Sequence, residues 1–163
     1  MKDVNSIFMR EKIASSYLYF ISFLGLITIT ISLLDIKIPS YPTILILLLI
    51  FMGIAEYFPV RFWRGTSSLT FPIIYAMSWQ FGIHMTIIAI VLVTLIIHLH
   101  RRSPIQRMLF NSTQHALSLI LAEWFSNKCM SLLINKIDMS VLYENLISLL
   151  LFCVFFGFFN NRF

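Results

Sequence analysis

Four polar side chains, Asn111, Gln114, His115 and Ser118, stand in the run "FNSTQHALSLILAEWF" at three- and four-residue spacing. On a helix that spacing places them on one face. Together they offer two amides, an imidazole and a hydroxyl. In lipid such groups turn inward, where they serve either as hydrogen-bonding glue between helices or as the floor of a pocket for a small, mostly uncharged ligand. A second group lies in "EYFPVRFWRG", where Glu56 stands close enough along the chain to pair with Arg61 and Arg64. The chemistry there is an ion pair that fixes a chain corner at a membrane surface.

Other reactive residue types fall in patterns that carry less. His98 and His100 in "HLHRR" are two apart, so a helix points them away from each other and they do not chelate. His84 stands alone at an expected turn, either as a solvated side chain or as a proton sensor. Glu123 and Glu144 lie toward the same expected face with no evident partner. Cys129 and Cys153 lie one by an expected loop and one inside an apolar run; no disulfide between them and no metal site is expected. No HExxH, GxSxG, Gly-rich phosphate loop or Cys-x-x-Cys occurs, so no catalytic residue, cofactor or metal is expected.

The elements that position these residues are set by composition. The 163 residues are 59% hydrophobic and only 12% charged, with a mean hydropathy of +0.87. Soluble domains carry about 25% charged residues, so this chain has too little polar surface to clothe a globule in water. The net charge of +5 is scattered over segment ends rather than gathered in a stripe, which excludes a nucleic-acid groove.

Apolar stretches of about 20 residues span a bilayer. Ser15–Leu34 is such a stretch; it is too long for a signal-peptide core and lacks a cleavage site, so it reads as a retained first span. Pro39 and Pro42 break the chain, Thr43–Phe58 is the second span, and Pro59 stops it. Thr66–His100 then holds no Lys, Arg, Asp or Glu over 35 residues. "QFGIH" splits it into Ser68–Gly82 and Ile83–His100. Leu109–Phe125 and Val141–Phe159 complete an all-α, polytopic membrane bundle of about six helices in one domain; between them "SNKCMSLLINKIDMS" reads as a loop with a short surface helix. The polar face of the fifth span is expected to point toward the second and third.

With the N-terminus in the cytoplasm, nine basic residues, including all seven arginines, fall inside and only Lys37, Lys128 and Lys136 fall outside. If Ser68–Gly82 did not cross, Arg101, Arg102 and Arg107 would move outside and the bias would collapse. The reading is therefore a multi-pass cell-membrane protein with both termini cytoplasmic, and Trp63 and Phe62 at the headgroups.

"EYFPVRFWRG", "SLTFPIIYAMSWQFG" and "HRRSPIQRMLFNSTQHALSLILA" together resemble the amino-terminal membrane module of bacterial signalling proteins that carry a cytoplasmic HD-GYP phosphohydrolase or GGDEF diguanylate cyclase domain. The resemblance covers about residues 50 to 125. It implies a sensor or input bundle whose output domain is missing here, since no HD, GYP or GGDEF motif occurs and the family's catalytic residues have no positions to fall on. The chain would then be a standalone homologue, a domain excerpt or a truncated reading frame. The competing expectation is the substrate-binding subunit of a vitamin importer, a six-helix protein of similar length that docks partners through small-xxx-small stripes. The first span has Ser22 and Gly25 three apart but no clean four-spaced pair, which weighs against it. A structural subunit with no ligand is the third reading. The expected partners are the lipid bilayer, a membrane or cytoplasmic signalling protein, and a second copy of the chain; nucleic acid is excluded.

Overall fold

The computed structural model describes residues 2–36, 41–58, 60–62, 65–67, 70–134 and 141–159, with side chains over 16–36, 41–58, 70–132, 143 and 145–157. Among them are six helices: α1 (Lys2–Leu34), α2 (Pro42–Tyr57), α3 (Phe71–Phe81), α4 (Ile83–His100), α5 (Ile105–Ile134) and α6 (Val141–Phe159). A small antiparallel ribbon joins α2 to α3; β1 (Val60–Phe62) pairs with β2 (Gly65–Ser67), with Arg61 opposite Thr66. The chain is thus helical, with that ribbon at the corner.

Proline and glycine punctuate the helices. Pro42 and Pro72 sit in the first turns of α2 and α3, where a missing N–H costs nothing. Gly82 separates α3 from α4 at φ 82° and ψ 164°. Its N–H closes α3 onto the Ser78 carbonyl, and its own carbonyl accepts both the N–H and the hydroxyl of Thr86. One residue therefore ends one helix and starts the next.

Two helices outrun the apolar segments read from the sequence. α1 begins at Lys2 rather than at Ser15, and α5 runs from Ile105 to Ile134, so Ser126–Ile134 is helix and not loop. The reason is local. No proline or glycine stands between 105 and 134, and a change from apolar to polar residues does not by itself end a helix.

Each helix packs on few others. α5 lies against α1, α4 and α6, and α4 also meets α1, α2 and α3. The expectation that the polar face of α5 looks toward the second and third spans is therefore corrected: among the described residues α5 does not meet α2 or α3. Met52, Ile74, Met77, Ile87, Ile90, Leu119, Phe152 and Phe156 form the apolar core.

The first helix is inverted relative to a water-soluble one. Among its described side chains, the buried positions are Gly25, Thr28 and Ser32, while Phe20, Phe23, Leu26 and Leu34 are exposed. The hydroxyls settle their protons within the helix, Thr28 on Leu24 O at 3.1 Å and Ser32 on Thr28 O at 2.9 Å. The exposed side of α2 is equally apolar, with Ile46, Leu47, Ile50, Phe51 and Ile54. Ser16–Leu34 within α1 and the whole of α4 are long and apolar enough to cross a membrane. α2 and the Asn145–Gly157 part of α6 are apolar but shorter.

Candidate functional site

The polar side chains gather at the two ends of the bundle. At one end the last turn of α2 meets the last turn of α4. Arg101 Nη2 donates to the Tyr57 carbonyl at 2.7 Å, and its guanidinium lies 5.2 Å from the centre of the Tyr57 ring. This supplies a cation to a helix C-terminus whose carbonyls lack partners in their own helix. Glu56 is buried, 9% exposed, and its carboxylate accepts from the Thr70 hydroxyl at 3.1 Å. The expected pairing of Glu56 with Arg61 and Arg64 lies outside the described residues, because their side chains are not among them.

The polar set on α5 begins at this end. Asn111 Nδ2 lies 2.9 Å from His98 Nε2 on α4. An amide nitrogen can only donate, so His98 Nε2 accepts and the ring proton sits on Nδ1. His115 and Ser118 are buried, at 3% and 2% exposure, and Gln114 is half-buried. The structure thus ties Asn111 to α4 and places His115 and Ser118 inside the bundle. Nearby, Thr94 on α4 and Ser112 on α5 are buried with no hydrogen-bond partner for their hydroxyls among the described residues. Sequence spacing identified the α5 residues but not His98, whose partner lies on another helix.

The opposite end collects the groups that look isolated in sequence. His84 opens α4, and its Nδ1 lies 3.3 Å from Ser32 Oγ on α1. Its Nε2 lies 3.9 Å from Asp35 Oδ2, just past the end of α1. Glu123 on α5 is within electrostatic reach of the same ring. An open hollow of about 480 Å³ lies here, lined by Leu34, Asp35, Ile36 and His84. The reading of His84 as a lone residue is corrected, since it meets Ser32 and Asp35. An up-and-down threading was the signal that could have found this cluster, since it brings the end of the first span, the start of the fourth and the end of the fifth to one level.

A third feature lies on the flank. Tyr75, Trp79, Asn145, Leu146 and Leu149 line an apolar groove of about 210 Å³ between α3 and α6. Cys129 and Cys153 are free thiols, both half-buried. Among the described residues no three His, Cys, Asp or Glu side chains come close enough together to hold a metal ion. The arrangement can hold hydrogen-bonded contacts between helices.

Compared with known protein families, with curated proteins and with solved structures, the chain matches none.

Proposed function

We propose that the chain is a non-catalytic, multi-pass membrane bundle that serves as a sensor or input module, with both termini in the cytoplasm. The observation that carries the membrane part is the inverted packing of α1, which buries Gly25, Thr28 and Ser32 and turns its aromatic and aliphatic side chains outward. In water that exposed face would be a large unfavourable patch; against lipid it is the solvated one, and the small residues let helix backbones approach.

The geometry of the corner supports six crossings. α3 starts where Thr70 meets Glu56, at the Arg101 end, and leads through Gly82 to His84 at the opposite end. At about 1.5 Å per residue its 11 residues cover about 16 Å, so it crosses as a short helix, with a thinned bilayer or a shallow start making up the difference. A re-entrant loop would return to the end at which it began. The nine-to-three distribution of basic residues favours the Arg101 end as cytoplasmic.

The sensor reading draws on the resemblance over residues 50 to 125. The importer reading is weaker, because Gly25 is already occupied in packing against Thr113 of α5 rather than free to dock a partner.

Cysteine labelling in intact cells tests the threading, after Cys129 and Cys153 are replaced by serine. Ser40→Cys and Asn127→Cys should react with an impermeant reagent, and Thr66→Cys should not. Reaction at Thr66→Cys overturns the crossing of α3. The purified chain should neither make nor cleave cyclic dinucleotides, and turnover that survives removal of contaminating enzymes overturns the non-catalytic reading.

A further inference from the structure

We infer that the seam between α1 and α2 holds one anionic phospholipid, its acyl chain laid along α4 and its phosphate at Arg101 and Arg102. α4 is the most enclosed helix of the bundle, packed against α1, α2, α3 and α5. Along it the exposed side chains are Leu92, Ile96, Leu99 and His100. Leu92, Ile96 and Leu99 stand four and three residues apart, so they form one line on the helix. That line is about 10 Å long and ends beside the turn that carries the two arginines.

The contacts of α4 place the line. His98 faces α5 through Asn111, His84 faces α1 through Ser32, and the ring of His100 faces α2 at Tyr57, 6.0 Å away. Each residue turns an α-helix by about 100°. Counted from His98, His84 then stands at about 40°, Leu99, Leu92 and Ile96 at about 100°, 120° and 160°, and His100 at about 200°. The apolar line therefore lies between the side that meets α1 and the side that meets α2. Among the described residues α1 and α2 do not meet each other, so α4 is the floor between them. Both flanking helices are apolar on their exposed sides.

The mouth of the seam is basic. Arg101 is exposed, and its guanidinium is held by the Tyr57 carbonyl and ring, which leaves its other donors for an outside acceptor. Arg102 is exposed beside it. Among the described residues neither has a carboxylate partner, since Glu56, the carboxylate at this end, is buried and accepts from Thr70. A guanidinium matches a phosphate through paired N–H groups. The complement of an apolar line that ends at two cations is an acyl chain that ends at an anion. A helix from a second copy would find one line of side chains to pack on, whereas an acyl chain needs no wider floor. The site rests on the membrane reading proposed above, and not on a sensing role or on which face is cytoplasmic.

Native mass spectrometry tests it, on the full chain released from nanodiscs of equal parts phosphatidylglycerol and phosphatidylcholine. One phosphatidylglycerol should stay bound, with a preference over phosphatidylcholine of about 25-fold, about fivefold from each arginine near the surface. Arg101→Gln and Arg102→Gln should each lower the preference about fivefold. Ile96→Trp, which fills the seam and keeps both arginines, should lower the retention of phosphatidylglycerol. Arg107→Gln should change nothing, because Arg107 stands four residues before Asn111, on the α5 face that meets His98 and outside the seam. Equal retention of the two lipids, an equal loss in Arg107→Gln, or no loss in Ile96→Trp overturns the site. So does release of the lipid by excess inorganic phosphate, which would make the arginines a site for free phosphate. Should Arg101→Gln fail to fold, Arg102→Gln and Ile96→Trp decide, since both side chains are exposed. Flotation with pure phosphatidylcholine vesicles separates the two readings. A chain that does not float overturns the membrane reading itself, and a chain that floats but holds both lipids equally overturns the lipid site alone.

Discussion

Gly25 of α1 lies so close to Thr113 of α5 that a methyl group built on it would collide with the Thr113 side chain and carbonyl. The two helix backbones approach here as small residues allow, and the Thr113 hydroxyl is folded back onto Leu109 O at 2.8 Å. Gly25→Ala should therefore force α1 away from α5. The expected loss is about 1–3 kcal/mol, as for an overpacked core. Leu26→Ala, one residue on and half exposed, should cost much less. Unfolding titrations in mixed micelles would separate the two, and equal losses would show that the close approach carries no energy.

The six helices were legible because apolar runs and their Pro and Gly breaks mark them directly. Helix lengths were less so. Hydropathy reports where a chain meets lipid, whereas the ends of α1 and α5 depend on breakers that are absent at Ser15 and Ser126. The neighbours of α5 were not legible at all, since periodicity defines a face but not what stands opposite. For the same reason Asn111 could be singled out while His98 was set aside. Ser32, Asp35, His84 and Glu123 were scattered in sequence, and only the antiparallel run of three helices brings them to one end.

Gly82 and Gly53 make an opposed pair. A methyl group at either would meet nothing within 4 Å, yet Gly82 has φ 82° and Gly53 sits within α2. At Gly82 the penalty is conformational, because φ 82° with ψ 164° is a region essentially reserved for glycine. Gly82→Ala should cost about 1–3 kcal/mol. Gly53→Ala should instead stabilise by about 0.5–1 kcal/mol through helix propensity. Opposite signs in the same unfolding assay are the expected result.

Arg102 occupies a position that glycine would fill with less strain. It ends the turn after α4 at φ 51°, with its N–H on Leu99 O and the Ser103 N–H on His98 O. This is the paired closure that usually carries glycine. A left-handed arginine costs about 1 kcal/mol, part of which glycine would give back through its extra freedom when unfolded. Arg102→Gly should raise stability by less than about 1 kcal/mol. Arg102→Ala removes the same charge without relieving the strain and should show no gain. If both variants gain equally, charge repulsion with Arg101 is the cause rather than backbone strain.

The contact between Asn111 and His98 separates glue from pocket on α5. If the 2.9 Å contact joins α4 to α5 as glue, its two ends depend on each other. Asn111→Leu should then lose about 0.6 kcal/mol, the average for a hydrogen bond within a membrane bundle, with about 2 kcal/mol as the ceiling. His98→Leu should lose a similar amount, and the double variant should lose little more than either alone, leaving a coupling close to the single loss. Gln114→Leu, at a half-buried position, should add independently. Additive losses at Asn111 and His98 would mean that the two side chains serve separate partners, and the polar set would then be better read as the lining of a ligand site. A binding reading also requires something the glue reading does not: a small uncharged compound that protects the bundle from unfolding in the unaltered protein and fails to do so in Asn111→Leu.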